Sequence, residues 1–301
     1  MGSNSPDYIP PEPGSVERAS GWENVPQNAP AEAGVPQSEV PRRRKPLWMA
    51  APATHILLAV NIGVWLAMVS TKVSPISPTV DQLVSWGADR AGDVLIYGQW
   101  WRIVTAMFIH VGIIHLATNM WCLWNLGLLA EPLMGSWGVL AVYILTGAAG
   151  NLLSTFSNWW SFQLNWLKYQ DLGVFPAGAG ASGAVFGIAG ALIILLKSNR
   201  LPVPPIELKK LRRSVIYFAA INLFIGISIS FGTEHFGKGI LIDNYAHMGG
   251  CACGLLFAAP MVPRLGSPRP SFDLRLRIAI GMVVGLLVLF GFYLAQLPPQ
   301  N

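Results

Sequence analysis

Two glycine-flanked segments in separate apolar stretches carry residue types able to do acyl-transfer chemistry. Ser182 lies in Gly180-Ala181-Ser182-Gly183, within an apolar stretch from Ala177 to Leu196, and His247 lies in Ala246-His247-Met248-Gly249-Gly250 at the head of another. A serine hydroxyl is a weak nucleophile until a neighbouring base takes its proton, and an imidazole can do this near neutral pH. Small residues around both positions let two helix backbones close on each other, and Gly250-x-x-x-Gly254 is a close-packing pattern of apolar helices. Taken singly, Ser182 reads more readily as a hydroxyl bonded back to its own helix carbonyl. His247 alone reads as a satisfied polar residue near a membrane interface. The pair together points to peptide-bond cleavage inside a membrane.

A third element is His115-Leu116-Ala117-Thr118-Asn119, where four-residue spacing puts His115 and Asn119 on one helix face. Both side chains can donate hydrogen bonds, and two fixed donors suit the oxyanion that forms on a scissile carbonyl, typically worth a few kcal/mol each. The competing reading is a polar pair stitching helices together. His110 is expected on a different face as a structural or water-organising residue, and His55 and His235 read as peripheral. No Asp or Glu lies within a span near Ser182 or His247, so the residues predict a dyad without a buried acid. Asp243, one turn before His247, reads as an N-cap. Cys122, Cys251 and Cys253 read as small core residues; without CxxC or HExxH, neither a metal nor an organic cofactor is expected.

These residues need a scaffold, and composition says which kind. The 301 residues are 52% hydrophobic and 12% charged, about half the usual charged share, with a mean hydropathy of +0.46. The chain reads as a polytopic membrane protein. Apolar segments long enough to cross a bilayer fall near 52–70, 103–129, 136–157, 177–196, 214–231, 243–263 and 276–297. The net charge of +5 does not imply nucleic acid, because the basic residues cluster at the edges of these spans. Arg42, Arg43, Arg44 and Lys45 precede the first span; Lys209, Lys210, Arg212 and Arg213 fall between spans four and five, and Arg264, Arg269 and Arg275 between six and seven. All lie on one side if the amino terminus is cytoplasmic. Spans two, four and six then begin at the outer face. Counted from span starts at 177 and 243, Ser182 and His247 share a depth of roughly 6–8 Å.

The motifs, in order and spacing, resemble the rhomboid family of intramembrane serine proteases over nearly everything after residue 46. Trp101-Arg102 looks like the Trp-Arg of the family's first outer loop, His115 and Asn119 like its HxxxN, and Gly180 to Gly183 like its GxSG. Ala246-His247 with Gly249, Gly250 and Gly254 resembles AHxGGxxxG, and Glu131 within Gly127-xxx-Glu131-xxx-Gly135 resembles a structural glutamate. The resemblance implies that Ser182 attacks while His247 serves as base and then acid, and that His115, Asn119 and the Ser182 N–H form the oxyanion hole. Phe186, one turn beyond Ser182, can offer its ring face to His247; the family often has tyrosine there. Phe186 and Gly180 are the base-orienting and substrate-side candidates. The first outer loop, about 71–100, is expected to position the site, and the aromatic segment 158–176 to dip into the membrane.

The expected architecture is an all-α transmembrane bundle: a Pro-rich disordered tail over 1–46, holding nine of the 23 prolines, a six-span catalytic core over 47–263, and a basic loop with a seventh helix over 264–301. The seventh helix carries no charged residue between Ile278 and Leu294, which assigns it packing or lipid contact. The expected function is an intramembrane serine endopeptidase cutting transmembrane helices near the outer face of a bacterial inner membrane. The expected partners are transmembrane substrates and the bilayer, with no nucleic acid. The rival is an inactive relative that binds transmembrane clients. A transporter would call for mid-membrane ionisable residues and repeat symmetry, and neither is present.

Overall fold

The computed structural model describes residues 51–164, 177–198, 200–201, 203–236, 243–262 and 268–297, without the side chains of 162, 163 and 226–236. The expected tail over 1–46 and most of the aromatic segment 158–176 lie outside the described residues. Those described are helices and their connections: α1 (Pro52–Ser70), α2 (Val80–Ser85), α3 (Ala91–Leu95), α4 (Arg102–Thr105), α5 (Ile113–Leu164), α6 (Ser182–Leu195), α7 (Pro205–Phe236), α8 (Asn244–Ala258) and α9 (Arg269–Ala295). The protein is all-α, a bundle of apolar helices.

Among the described residues, Pro52–Ser70, Ile113–Ser161 and Arg269–Ala295 are long and apolar enough to cross a membrane. The second is broken at Gly135, whose φ of +74° and ψ of 168° leave helical space. A positive φ of this kind costs glycine nothing and any larger residue strain, so the chain reverses there and supplies two passes. The expected spans 103–129 and 136–157 therefore fall on one run, but not from 103. Residues 102–112 form α4, a 3-10 turn over Ala106–Phe108 and a loop ending at Gly112, whose φ is +100°. Hydropathy carries the apolar signal through Ile103, Val104 and Met107 without registering that break. α7 begins at Pro205, well before 214, because its first turns are the polar Glu207-Leu208-Lys209-Lys210.

The α1–α5 junction is fixed by one carboxylate. α1 begins after Ala51 with no side-chain cap of its own. Glu131 of α5 supplies the missing acceptor, taking Ala53 N–H and Thr54 N–H at 2.9 Å each, the Thr54 hydroxyl at 2.7 Å and the Ser136 hydroxyl at 2.6 Å. A negative charge at a helix amino terminus meets both its orphan N–H groups and the positive end of its dipole. Gly127, one turn earlier, permits the approach: a Cβ there would lie 2.5 Å from Thr54 Cγ2.

α6 is the axis of the bundle. From Gly183 to Leu192 every residue is buried, between α5 and α8. α9 packs against α5 and α8 through Leu276, Ala279, Val283 and Leu294, with Phe290 edge-on to Phe156 at 6.2 Å, and its other face is apolar and exposed.

Candidate active site

Ser182 is the first residue of α6. The apolar stretch begins at Ala177, but Ala177 to Ala181 do not continue the helix. Gly178 pairs with Asp89 of the outer loop in an antiparallel bridge, with N–H to O distances of 2.8 and 2.6 Å, and Gly180 takes a φ of +127°. The glycines release the backbone from helix, which corrects the depth count from 177. The correction matters chemically, because a residue in the first turn keeps an N–H with no partner inside the helix, at the positive end of the dipole.

α6 and α8 meet backbone to backbone. A Cβ on Gly250 would lie 2.8 Å from the carbonyl carbon of Gly183, and one on Gly254 the same distance from that of Gly187. A Cβ on Gly183, next to Ser182, would stand 3.3 Å from the carbonyl oxygen of Ala246, next to His247. α5 joins through Gly150, whose Cβ would reach that same oxygen at 2.5 Å. The residue after the serine and the residue before the histidine thus touch. Phe186 lies flat on the imidazole of His247, centroids 4.3 Å apart and planes 9° from parallel. His247 is 6% exposed, and its Nδ1 is buried with no partner among the described residues. Asp243 caps α8 through Ala246 N–H at 2.9 Å and accepts the His247 N–H on its backbone carbonyl at 3.2 Å; its carboxylate does not bond the ring. Among the described residues no hydrogen bond joins Ser182 to His247, a spacing that tightens in many enzymes once substrate is bound.

His115 stands at the turn before Ser182. A Cβ on Gly180 would lie 2.6 Å from its Cε1 and 3.0 Å from its Nε2, so only glycine allows the ring so near. Val111 N–H reaches Nδ1 at 3.4 Å, which leaves Nε2 as the protonated nitrogen of the neutral ring, the one facing Gly180. Asn119 is buried, and one of its amide hydrogens bonds back to the His115 carbonyl at 2.9 Å, leaving the other. His110 is not on the α5 face at all: it precedes the helix, is fully buried, and its ring centroid is 5.4 Å from that of His115. His55 bonds Ala51 O at 2.8 Å, away from this cluster, and the side chain of His235 lies outside those described.

The outer loop leading to His115 is tied down by buried hydrogen bonds. Arg102 is buried, donates to Val84 O at 2.6 Å, Ala88 O at 2.9 Å and Gln99 Oε1 at 2.7 Å, and lies 4.5 Å from the Trp101 ring centroid. α2 opens on a reciprocal capping box between Thr79 and Gln82. Sequence reading missed that this loop reaches the segment leading into Ser182: Asp89 holds Gly178, and Asp89 Oδ2 accepts from Thr155 of α5 at 2.8 Å. The available signal was a lone acid in a glycine-flanked turn, Gly87-Ala88-Asp89-Arg90-Ala91-Gly92.

Comparison with known proteins shows the family of the chain. Residues 97–264 match the family model described as Rhomboid domain. The chain is 31% identical over 242 residues to Rhomboid protease GluP of Bacillus subtilis (strain 168), covering 80% of this chain and 40% of that protein. It is 29% identical over 215 residues to Rhomboid protease AarA of Providencia stuartii, covering 69% of this chain and 72% of that one. A third relative, RHOMBOID-like protein 9, chloroplastic, of Arabidopsis thaliana, is 27% identical over 218 residues, covering 71% and 44%. The chain thus spans about two fifths of the Bacillus relative. The chain belongs to the rhomboid family of intramembrane proteases and is an integral, multi-pass membrane protein.

Proposed function

We propose that this chain is a serine endopeptidase that hydrolyses transmembrane proteins near the outer membrane face with a Ser182–His247 dyad. The observation that carries the reading is the position of Ser182 at the first residue of α6, one residue from backbone contact with the helix that holds His247. Fourteen residues of α-helix measure about 21 Å, against a hydrocarbon core of about 30 Å. A helix that short, anchored at the inner boundary, begins below the outer surface, where water can still descend.

In the reaction Ser182 Oγ attacks the scissile carbonyl carbon and its proton passes to His247. The oxyanion that forms is held by the Ser182 N–H, by His115 Nε2–H and by the free amide hydrogen of Asn119. Collapse of the tetrahedral adduct breaks the C–N bond, and His247 returns the proton to the leaving amine. Water, deprotonated by His247, then hydrolyses the acyl-serine. Phe186 keeps the imidazole plane fixed while its charge changes. With no carboxylate on Nδ1 among the described residues, stacking and backbone packing do the orienting.

The orientation follows the charge bias, with a cytoplasmic amino terminus in a bacterial inner membrane. Residues 47–263 form the catalytic core, and α9 is an appended packing helix. The test is cleavage of a fluorescent transmembrane peptide by purified protein, comparing wild type with Ser182→Ala and His247→Ala, with and without chelator. The reading expects cleavage with chelator present and none by either variant. Equal cleavage by all three would overturn the dyad, and folded but inactive wild type would favour a client-binding role.

A further inference from the structure

The mechanism leaves Asp89 and Asp243 unused. Asp89 is 1% exposed, and its Oδ1 is buried with no partner among the described residues. Its Oδ2 accepts from Thr155, and the adjacent hydroxyl of Ser154 donates to Asp243 Oδ2. Both side chains flank Gly178: the point where a Cβ would sit there is 3.3 Å from Asp243 Oδ2, 3.6 Å from Ser154 Oγ and 3.7 Å from Asp89 Cβ. Each acid serves one half of the proposed dyad. The Asp89 backbone pairs with Gly178, four residues before Ser182, while Asp243 caps the helix whose fourth residue is His247. One turn of α5, carrying Ser154 and Thr155, anchors both.

We propose that Asp89 and Asp243 are a positioning pair that holds Ser182 and His247 in register only while one carboxyl keeps its proton, which makes the protease lose turnover at alkaline pH. This rests on the serine-protease reading above. Two carboxylates held on the neighbouring hydroxyls of Ser154 and Thr155 without an intervening cation cannot both ionise cheaply. The groups around Asp89 decide the balance. Thr155 and Arg102 favour its charged form, while burial, Asp243 and Asp93 oppose it, and Arg90 is occupied with Asp93 at 3.0 Å. Burial is the largest influence and pushes Asp89 up to about 7. Above that pH the pair carries two charges, and their repulsion acts where the segment leading into Ser182 meets the cap of the His247 helix.

Asp89→Asn copies the protonated form in shape and keeps the backbone pairing with Gly178. Asp243→Asn remains a good N-cap and removes the repelling charge. Purified full-length protein is assayed for kcat on a transmembrane peptide from pH 5 to 9.5. The wild type is expected to show an alkaline limb near pH 7, and each Asn variant to move that limb up by a unit or more while remaining active at pH 6. A second readout does not need activity. Because the folded Asp89 holds its proton more tightly than the unfolded one, the wild type should lose thermal stability relative to Asp89→Asn as pH rises from about 4 to about 7, with a constant difference above. An alkaline limb unchanged in both variants, or a stability difference independent of pH, overturns the pair. Wild type that cleaves nothing at any pH, with the stability difference intact, overturns the protease reading instead.

Discussion

Gly250→Ala is the sharpest test of how the dyad is assembled. The added Cβ would sit 2.8 Å from the Gly183 carbonyl carbon and 3.2 Å from its Cα, with the carbonyl oxygen nearer still. Carbon pairs are comfortable at about 3.5–4.0 Å, so α8 must withdraw from α6 by about 1 Å, and neither neighbour is a side chain that can swing away. The strain typically costs about 1–3 kcal/mol, partly offset by alanine's helix preference of up to about 1 kcal/mol. The protein should therefore fold with a slightly lower Tm. Catalysis suffers more, because the gap opens between the residue after Ser182 and the turn after His247, and a misplacement of about 1 Å can lower turnover about a hundredfold. Gly281→Ala is the control, since nothing lies within 4 Å of a Cβ there. The assay is kcat per folded molecule on a transmembrane peptide, with folding followed by size exclusion and thermal melting. A Gly250→Ala protein that stays within threefold of wild type would refute the inference that this contact sets the dyad's geometry.

Glu131→Gln keeps the size of the α1 cap but halves its acceptor capacity and removes its charge, so Tm should fall by the equivalent of about 2–3 kcal/mol with little change in kcat per folded molecule. Phe186→Ala removes the stack on His247, and aromatic contacts of about 0.5–1.5 kcal/mol predict roughly a tenfold loss in kcat, whereas Phe186→Tyr should retain activity in the same assay. Arg102→Lys cannot reproduce a fork that meets Val84 O, Ala88 O and Gln99 together, and limited proteolysis should then cut the 71–100 loop faster than in wild type.

How far the sequence foretold this arrangement varies with the kind of signal. Span one, read at 52–70, coincides with Pro52–Ser70, because continuous hydropathy and length decide such a helix. The start of α7 ahead of a basic segment, and the break before Ile113, were not legible, since hydropathy ignores polar helical turns and glycine dihedrals alike. Ser182 stood out through its small neighbours, but its position at the start of α6 depends on Gly178 pairing with Asp89, a tertiary hydrogen bond between residues far apart in sequence. The same holds for Glu131: its glycine spacing was visible, whereas its bonds to the amino terminus of α1 link it to Ala53 and Thr54, on another helix. His110 was misplaced on a helix face because the helix was assumed to reach it.

The central claim is that Ser182 is a nucleophile activated by His247. The most direct measurement is reaction of the purified protein with a fluorophosphonate, followed by mass spectrometry of the modified peptide. The account predicts a single adduct on Ser182 in wild type, and none in Ser182→Ala or in folded His247→Ala. Labelling that persists in Ser182→Ala, or undiminished labelling in His247→Ala, would contradict it.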